Sequence, residues 1–373
     1  MPEFLNGNQA IARGGLDAGC DFFAGYPITP ATQILLIMAD ELPRQGGIVL
    51  QGEDEIASLG FCIGAALSGR RVMTATSGPG ISLYSENIGF GIMAEVPLVI
   101  VDVQRMGPAT GAATTGAQGD IQFLRWGTSG GFPMIVLAPS TVEECYTLTL
   151  RAFDLAERFR CPVFLATDKE TALTKVSVTL PDPDTIPVRA RDQASPEDPF
   201  TPYDFDHPAR VAPLSPFGGP HKLRVTSSSH DREAYLTKDP EALEKLNRHL
   251  AAKIEDHAAE ITLVKKDLQP GADTLLISYG ISARATQAAG IIAREAGQRV
   301  SWLTLLSLWP VPEQDIRAAL QGVRRVIVPE LNLGQYRREI ERLAQDNQEV
   351  LGVHRLDGKP ISPDQILKEG NLL

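Results

Sequence analysis

A chain of 373 residues is long enough for two ordinary domains with room for a third element. Its hydrophobic content of 43% is that of a globular protein, and a net charge of −11 with a pI near 5.1 argues against nucleic acid or an anionic membrane as partner. No apolar run reaches membrane-spanning length and the first residues lack a secretory signal pattern, so the expected location is the cytoplasm.

Asn8 is placed to cap a first helix running to about Ala18. The apolar run Asp21-Phe22-Phe23 then leads into Ala24-Gly25-Tyr26-Pro27-Ile28-Thr29-Pro30 and the amphipathic stretch Gln33–Met38. Thr29 is the expected cap of that helix and Pro30 its first residue, and two prolines around a hydroxyl make a stiff turn. Such a turn between strand and helix is where an α/β protein holds a ligand; a plain strand–helix connection is the alternative. Further strands are expected at 48–51, 72–76, 97–103, 134–138 and 162–167, with helices near 54–68, 82–94 and 140–159. The last helix opens on Ser140-Thr141-Val142-Glu143, a capping-box pattern. Alternation of this kind predicts a parallel sheet covered by helices.

Residues 180–235 carry ten prolines among charges and read as an extended excursion or linker. A charged amphipathic helix follows over 240–264, with Leu243, Leu246 and Leu250 on one stripe. A second α/β unit begins at Ala272. Its strands are expected at 274–278, 300–304 and 326–328, its helices near 282–297, 312–320 and 334–346, and the chain closes with a strand at 349–355 and a short helix after Pro363.

Four cysteines, Cys20, Cys62, Cys145 and Cys161, are scattered in apolar contexts, which predicts buried free thiols and no metal or cluster held by this chain. All six histidines lie after residue 200. Chemistry in the first half must therefore use carboxylates, arginine, hydroxyls, backbone groups or a cofactor, which excludes a Ser-His-Asp triad there.

Three segments could carry it. Gln51-Gly52-Glu53-Asp54-Glu55 opens a helix rich in small residues, Ala57, Ser58, Gly60, Gly64, Ala65 and Ala66. Acids in a first helical turn suit the dipole. The small residues admit a cofactor, a helix of another subunit, or close packing within the chain. Thr76-Ser77-Gly78-Pro79-Gly80 follows a strand and matches neither common phosphate-binding glycine pattern. It fits a ligand crevice or a plain turn. Arg105 ends the longest apolar strand, before the small-residue loop Ala109–Gly116 and Gln118-Gly119-Asp120. Its planar fork suits a carboxylate; a structural salt bridge is the alternative.

Taken together, Gly25-Tyr26-Pro27-Ile28-Thr29-Pro30, Glu53–Ser58, Thr74–Gly80, Val103-Gln104-Arg105-Met106-Gly107-Pro108, Pro329–Gln335 and Gly358–Ile361 make the chain resemble the alpha subunit of a 2-oxoacid:ferredoxin oxidoreductase, most closely the 2-oxoglutarate branch. The loop Ala112-Ala113-Thr114-Thr115 and Met106 depart from that branch's usual wording. The resemblance implies an α/β fold. A thiamine-diphosphate-binding-type parallel sheet domain, of the pyrimidine-binding type, would span 1–178. A linker excursion with a long helix would span 179–268, and a transketolase C-terminal-like α/β domain 269–373. It implies oxidative decarboxylation of 2-oxoglutarate with coenzyme A to succinyl-coenzyme A, reducing ferredoxin, or the reverse reaction. Glu55 would be catalytic, contacting the cofactor's aminopyrimidine. Thr29 and Arg105 would bind the substrate, and Tyr26, Pro27, Ile28, Ser77 and Gly78 would line the cofactor site.

Thiamine enzymes hold the diphosphate and magnesium on a Gly-Asp-Gly segment followed by an asparagine, and the only Gly-Asp here, Gly119-Asp120, is followed by Ile121. The resemblance therefore places Mg2+ and a [4Fe-4S] cluster on a beta subunit. An (alpha–beta)2 assembly with ferredoxin, and gamma and delta subunits as further candidates, completes the expected partners. The same chemistry on pyruvate, 2-oxoisovalerate or an aryl pyruvate is the near alternative. A transketolase-like carboligase and a structural scaffold subunit are the distant ones.

Overall fold

The computed structural model describes residues 2–373. A seven-stranded sheet has the order Ser307–Trp309, Ile135–Leu137, Pro162–Asp168, Leu98–Gln104, Val72–Thr76, Phe22–Gly25, Ile48–Gln51, parallel except for its first strand. Its central strands Val72–Thr76, Leu98–Gln104 and Pro162–Asp168 are buried along their whole length, as continuously apolar runs between two helical layers must be. A five-stranded sheet has the order Glu349–His354, Arg325–Glu330, Thr274–Ser278, Val300–Leu305, Val264–Asp267, with only the last strand antiparallel. Glu3–Leu5 pairs with Val176–Val178 in a small third sheet. Among the described residues no helix is long and apolar enough to cross a membrane.

Most expected elements form, and four corrections have local causes. The first helix, Gly7–Asp17, is capped by Asn6 rather than Asn8, because Gln9 completes a capping box with Asn6. Asn8 instead donates to the Pro30 carbonyl at 3.0 Å. The next helix begins at Thr32 with no side-chain cap. Thr29 is exposed, and its carbonyl is taken by Arg105 and that of Pro30 by Asn8, which leaves both residues ahead of the helix. The stretch 82–94 divides into Pro79–Leu83 and Ser85–Met93 around Tyr84, whose buried hydroxyl bonds Thr74 at 2.8 Å. The capping box expected to start at Ser140 does not form: Thr141 caps Val142–Phe159 through the Glu144 amide, and the Glu144 carboxylate accepts from the Ser140 amide rather than from that of the cap.

The proline-rich stretch is an ordered strap rather than a free linker. Arg191 makes a two-point contact with Glu157 at 2.7 and 2.9 Å, Arg160 donates to the Ala212 carbonyl at 2.9 Å, and Tyr203, Phe205 and Leu214 are buried. The helix Pro240–Glu255 closes over it. His249 and Lys253 both reach the buried Glu95 carboxylate, at 3.0 and 2.9 Å. All four cysteines are free and buried.

The two large sheets share one hydrophobic core that includes Ile100, Phe164, Leu275, Trp309, Val328 and Tyr336. Polar contacts lock the same seam. Gln118 accepts from Ser282 Oγ and the Leu331 amide, Asn332 donates to the Gln118 carbonyl at 2.7 Å, and Gln335 donates to the Gly119 carbonyl at 2.6 Å. The segment Pro329–Gln335 thus grips the loop that follows Arg105. Gly358 approaches so closely that a Cβ there would overlap Thr115.

Candidate active site

The carboxyl ends of Phe22–Gly25, Val72–Thr76 and Leu98–Gln104 are adjacent in the sheet, and the segments leaving them meet in one crevice, the usual ligand position of an open α/β sheet. Of the three consecutive acids, the structure distinguishes one. Glu53 and Asp54 are exposed and Asp54 caps the helix Glu55–Leu67 through the Ala57 amide at 2.7 Å, whereas Glu55 is buried in the first turn. Its carboxyl lies against Gly80. A Cβ at Gly80 would stand 2.9 Å from Glu55 Oε1 and 2.0 Å from Thr76 Oγ1, so only glycine fits there.

Gly78 adopts φ +41°, a left-handed conformation that suits glycine, and turns the chain from strand into the short helix Pro79–Leu83. A Cβ at Gly78 would lie 3.6 Å from Arg105 Cγ and 3.7 Å from its Nε. Arg105 is almost fully buried. It donates through Nη1 to the Thr29 carbonyl at 2.6 Å and through Nη2 to the Thr110 carbonyl at 3.2 Å. That uses two of the five guanidinium donors, and the buried Nε–H has no partner among the described residues. No carboxylate among the described residues pairs with Arg105 through a salt bridge, so the plain salt-bridge alternative is not what the structure shows.

Contacts therefore run from Glu55 through the Gly78–Gly80 turn to Arg105 and Thr29. Ser77 Oγ and Thr76 Oγ1 are buried here without hydrogen-bond partners among the described residues, an arrangement that asks for a polar ligand. Tyr26, Pro27 and Thr29 are exposed at the mouth, while Ile28 packs partly on the core. The small-residue helix turns Gly60 and Gly64 outward. Both are exposed, and a Cβ at either would meet nothing within 4 Å, so packing within the chain does not account for them.

Two acids at this crevice escaped the sequence reasoning. Asp102 is fully buried near the end of its strand, opposite Thr76, and Asp120 comes from the loop gripped by Gln335. Neither carboxyl oxygen of Asp102, nor Asp120 Oδ2, has a hydrogen-bond partner among the described residues. Burial and the neighbouring Asp120 raise Asp102 well above the usual carboxylate range. Burial also raises Asp120, to about 6, with the influence of Asp102, the Arg105 charge and the Gly78 backbone opposing it. The available signal was a lone charge in the apolar run Val99-Ile100-Val101-Asp102-Val103, since a buried strand carries an acid only where something compensates it.

Residues 13–248 match the family model described as pyruvate flavodoxin/ferredoxin oxidoreductase, thiamine diphosphate-binding, and residues 272–366 match pyruvate:ferredoxin oxidoreductase core domain II. The chain is 42% identical over 98% of its length, and 97% of the relative's, to the 2-oxoglutarate synthase subunit KorA of Methanothermobacter marburgensis. It is 35% identical, over 98% of its length and 96% of the relative's, to the ketoisovalerate oxidoreductase subunit VorB of Methanothermobacter thermautotrophicus. A solved 2-oxoglutarate:ferredoxin oxidoreductase from Magnetococcus marinus, with 2-oxoglutarate, coenzyme A and succinyl-coenzyme A bound, superimposes with a TM-score of 0.93 at 30% identity, over 99% of this chain and 65% of that one. A split-gene transketolase superimposes with a TM-score of 0.56 at 12% identity, a likeness of fold alone. With this crevice set in a transketolase-like α/β fold, the chain belongs to the 2-oxoacid:ferredoxin oxidoreductases, as a subunit with their thiamine-diphosphate-binding-type domain.

Proposed function

We propose that this chain is the alpha subunit of a complex that oxidatively decarboxylates 2-oxoglutarate with coenzyme A, giving succinyl-coenzyme A and carbon dioxide and reducing ferredoxin, or runs the reverse reaction. The observation that carries the choice of substrate is the greater identity to the 2-oxoglutarate synthase subunit, 42% against 35% for the ketoisovalerate subunit, each over 98% of the chain.

The crevice fits the aminopyrimidine half of thiamine diphosphate. A buried carboxyl lies at a wall too close for any side chain at Gly80, beside orphaned hydroxyls of Thr76 and Ser77. Thiamine diphosphate, when bound, supplies the nucleophilic carbon and the electron sink that decarboxylation of a 2-oxoacid needs. Glu55 holds a proton at the pyrimidine ring nitrogen. Tyr26, Pro27 and Ile28 wall the cofactor, and Ser77 and Gly78 line the turn beneath it. Arg105 receives the carboxylate next to the substrate's keto group on its free donors, and Thr29 bonds the substrate from the mouth.

Gly119-Asp120 runs on into Ile121 and the helix Ile121–Trp126 rather than into the glycine of a diphosphate-holding segment. In this reading Mg2+ and the [4Fe-4S] cluster belong to a beta subunit in an (alpha–beta)2 assembly. Exposed Leu50, Ile56, Phe61 and Leu83, with bare Gly60 and Gly64, give such a subunit an apolar surface around the site.

Replacing Arg105 with lysine tests the assignment. Lysine keeps the charge and loses the planar fork. The expected cost is about 1.5–3 kcal/mol of transition-state binding, hence about ten- to a hundredfold in kcat/KM. Because all 2-oxoacids share that carboxylate, steady-state kinetics of the assembled complex should show similar losses for 2-oxoglutarate and pyruvate. A loss confined to 2-oxoglutarate would mean that Arg105 reads the distal carboxylate instead.

A further inference from the structure

We infer that Gly358, in the second α/β unit, is a positioning residue for the substrate carboxylate: it seats the arch formed by residues 106–116, whose Thr110 carbonyl fixes the Arg105 guanidinium. The inference rests on the assignment of Arg105 to that carboxylate.

Two carbonyls of different origin aim Arg105. That of Thr29 belongs to the stiff turn behind Phe22–Gly25. That of Thr110 belongs to the arch, which is exposed over residues 107–111 and so gains little from burial of its own. Backbone bonds at the base close the arch instead. The Met106 amide donates to the Thr115 carbonyl at 2.9 Å, the Ala112 amide to the Met106 carbonyl at 3.0 Å, and the Thr115 amide to the Ala112 carbonyl at 2.9 Å. Thr115 takes part in two of these three bonds, and Met106 follows Arg105 directly. A shift of Thr115 is therefore passed both to the backbone beside Arg105 and to the carbonyl that holds its Nη2.

Gly358 meets that base. A Cβ there would stand 1.8 Å from Thr115 Cγ2 and 3.3 Å from both Thr115 Cβ and Met106 Cε. The turn that carries it is tied down. Arg355 holds Asp357 at two points, 2.7 and 3.0 Å, the Asp357 carboxylate also accepts from the Lys359 amide at 3.1 Å, and Ile361 just beyond is buried. Gly358→Ala therefore displaces the arch rather than the turn. Without the Thr110 carbonyl in place the guanidinium keeps one of its two anchors and loses its fixed orientation. A carboxylate bound equally in the ground state and the transition state is then held more weakly, which raises KM and spares kcat.

The test uses the assembled complex. KM and kcat for 2-oxoglutarate, and hydrogen–deuterium exchange over residues 106–116, are measured in the native enzyme, Gly358→Ala, Gly322→Ala, Thr115→Ser and the double variant Gly358→Ala/Thr115→Ser. Gly322 has φ +76° against +77° at Gly358, and a Cβ there would meet nothing within 4 Å, so Gly322→Ala carries the same backbone cost without touching the arch. For Gly358→Ala the expected result is a KM raised about tenfold, the loss of one charge-assisted hydrogen bond, with faster exchange over the arch. Gly322→Ala should show neither change. The double variant should return to the KM of Thr115→Ser, because serine lacks the overlapping Cγ2. A KM in Gly358→Ala no higher than in Gly322→Ala, native exchange over the arch, or a KM that stays raised in the double variant would overturn the inference. Failure of the Arg105 assignment is separately visible: Arg105→Lys would then spare KM on every 2-oxoacid, and the inference would fall with that assignment.

Discussion

Replacing Glu55 with glutamine should nearly abolish turnover of the assembled complex while leaving assembly intact. Glutamine matches glutamate in size, so the tight wall at Gly80 and the helix start capped by Asp54 are undisturbed. What is lost, in the proposed role, is a carboxyl that can hold or release a proton at the pyrimidine nitrogen. Positioned acid–base groups contribute on the order of a hundred- to ten-thousandfold. Glu53 and Asp54 cannot substitute, because both are exposed. Steady-state ferredoxin reduction and size-exclusion chromatography of the variant complex measure both halves of the prediction. Turnover within about threefold of native, well below that general effect, would remove Glu55 from the role.

The largest loss of stability should come from Lys253→Met. Burial opposes ionisation of Glu95, but the Lys253 and His249 charges beside it outweigh that and hold Glu95 well below the ordinary carboxylate range. Lys253 also donates to the Arg160 carbonyl at 3.2 Å, at the chain turn beneath the strap. Removing one partner of a buried pair leaves the other charge uncompensated, at a cost of about 3–5 kcal/mol. Urea denaturation should show that loss, and adding Glu95→Gln should recover part of it, since the double variant no longer buries an orphaned carboxylate. A depressed pKa also fixes the sign with pH. This contribution is present above the unfolded-state value and is lost as pH falls through the folded one. A single variant as stable as the native protein would mean that water reaches Glu95.

How much of this was legible in the sequence depended on burial. Strands covered on both faces announce themselves as unbroken apolar runs, and Val72–Thr76, Leu98–Gln104 and Thr274–Ser278 form where those runs place them. The short strands Val264–Asp267 and Ser307–Trp309 lie at sheet edges, where pairing depends on the neighbour more than on the residues themselves. The Glu53-Asp54-Glu55 run gave three candidates of one chemistry, and only the entry angle of the helix decides which is buried. Asp102 was hidden by its apolar neighbours, and Asp120 lies in a loop whose path is set by Gln335, far along the chain. Likewise the strap over 180–235 has no periodicity to read, because its order comes from Arg160 and Arg191 on the underlying domain.

The most direct measurement of the central claim is coenzyme A-dependent ferredoxin reduction by the complex purified with its partner subunit, compared across 2-oxoglutarate, pyruvate, 2-oxoisovalerate and an aryl pyruvate. Expected are succinyl-coenzyme A as product and a kcat/KM for 2-oxoglutarate above that of every other acid. A higher kcat/KM for pyruvate, 2-oxoisovalerate or the aryl pyruvate would contradict that claim.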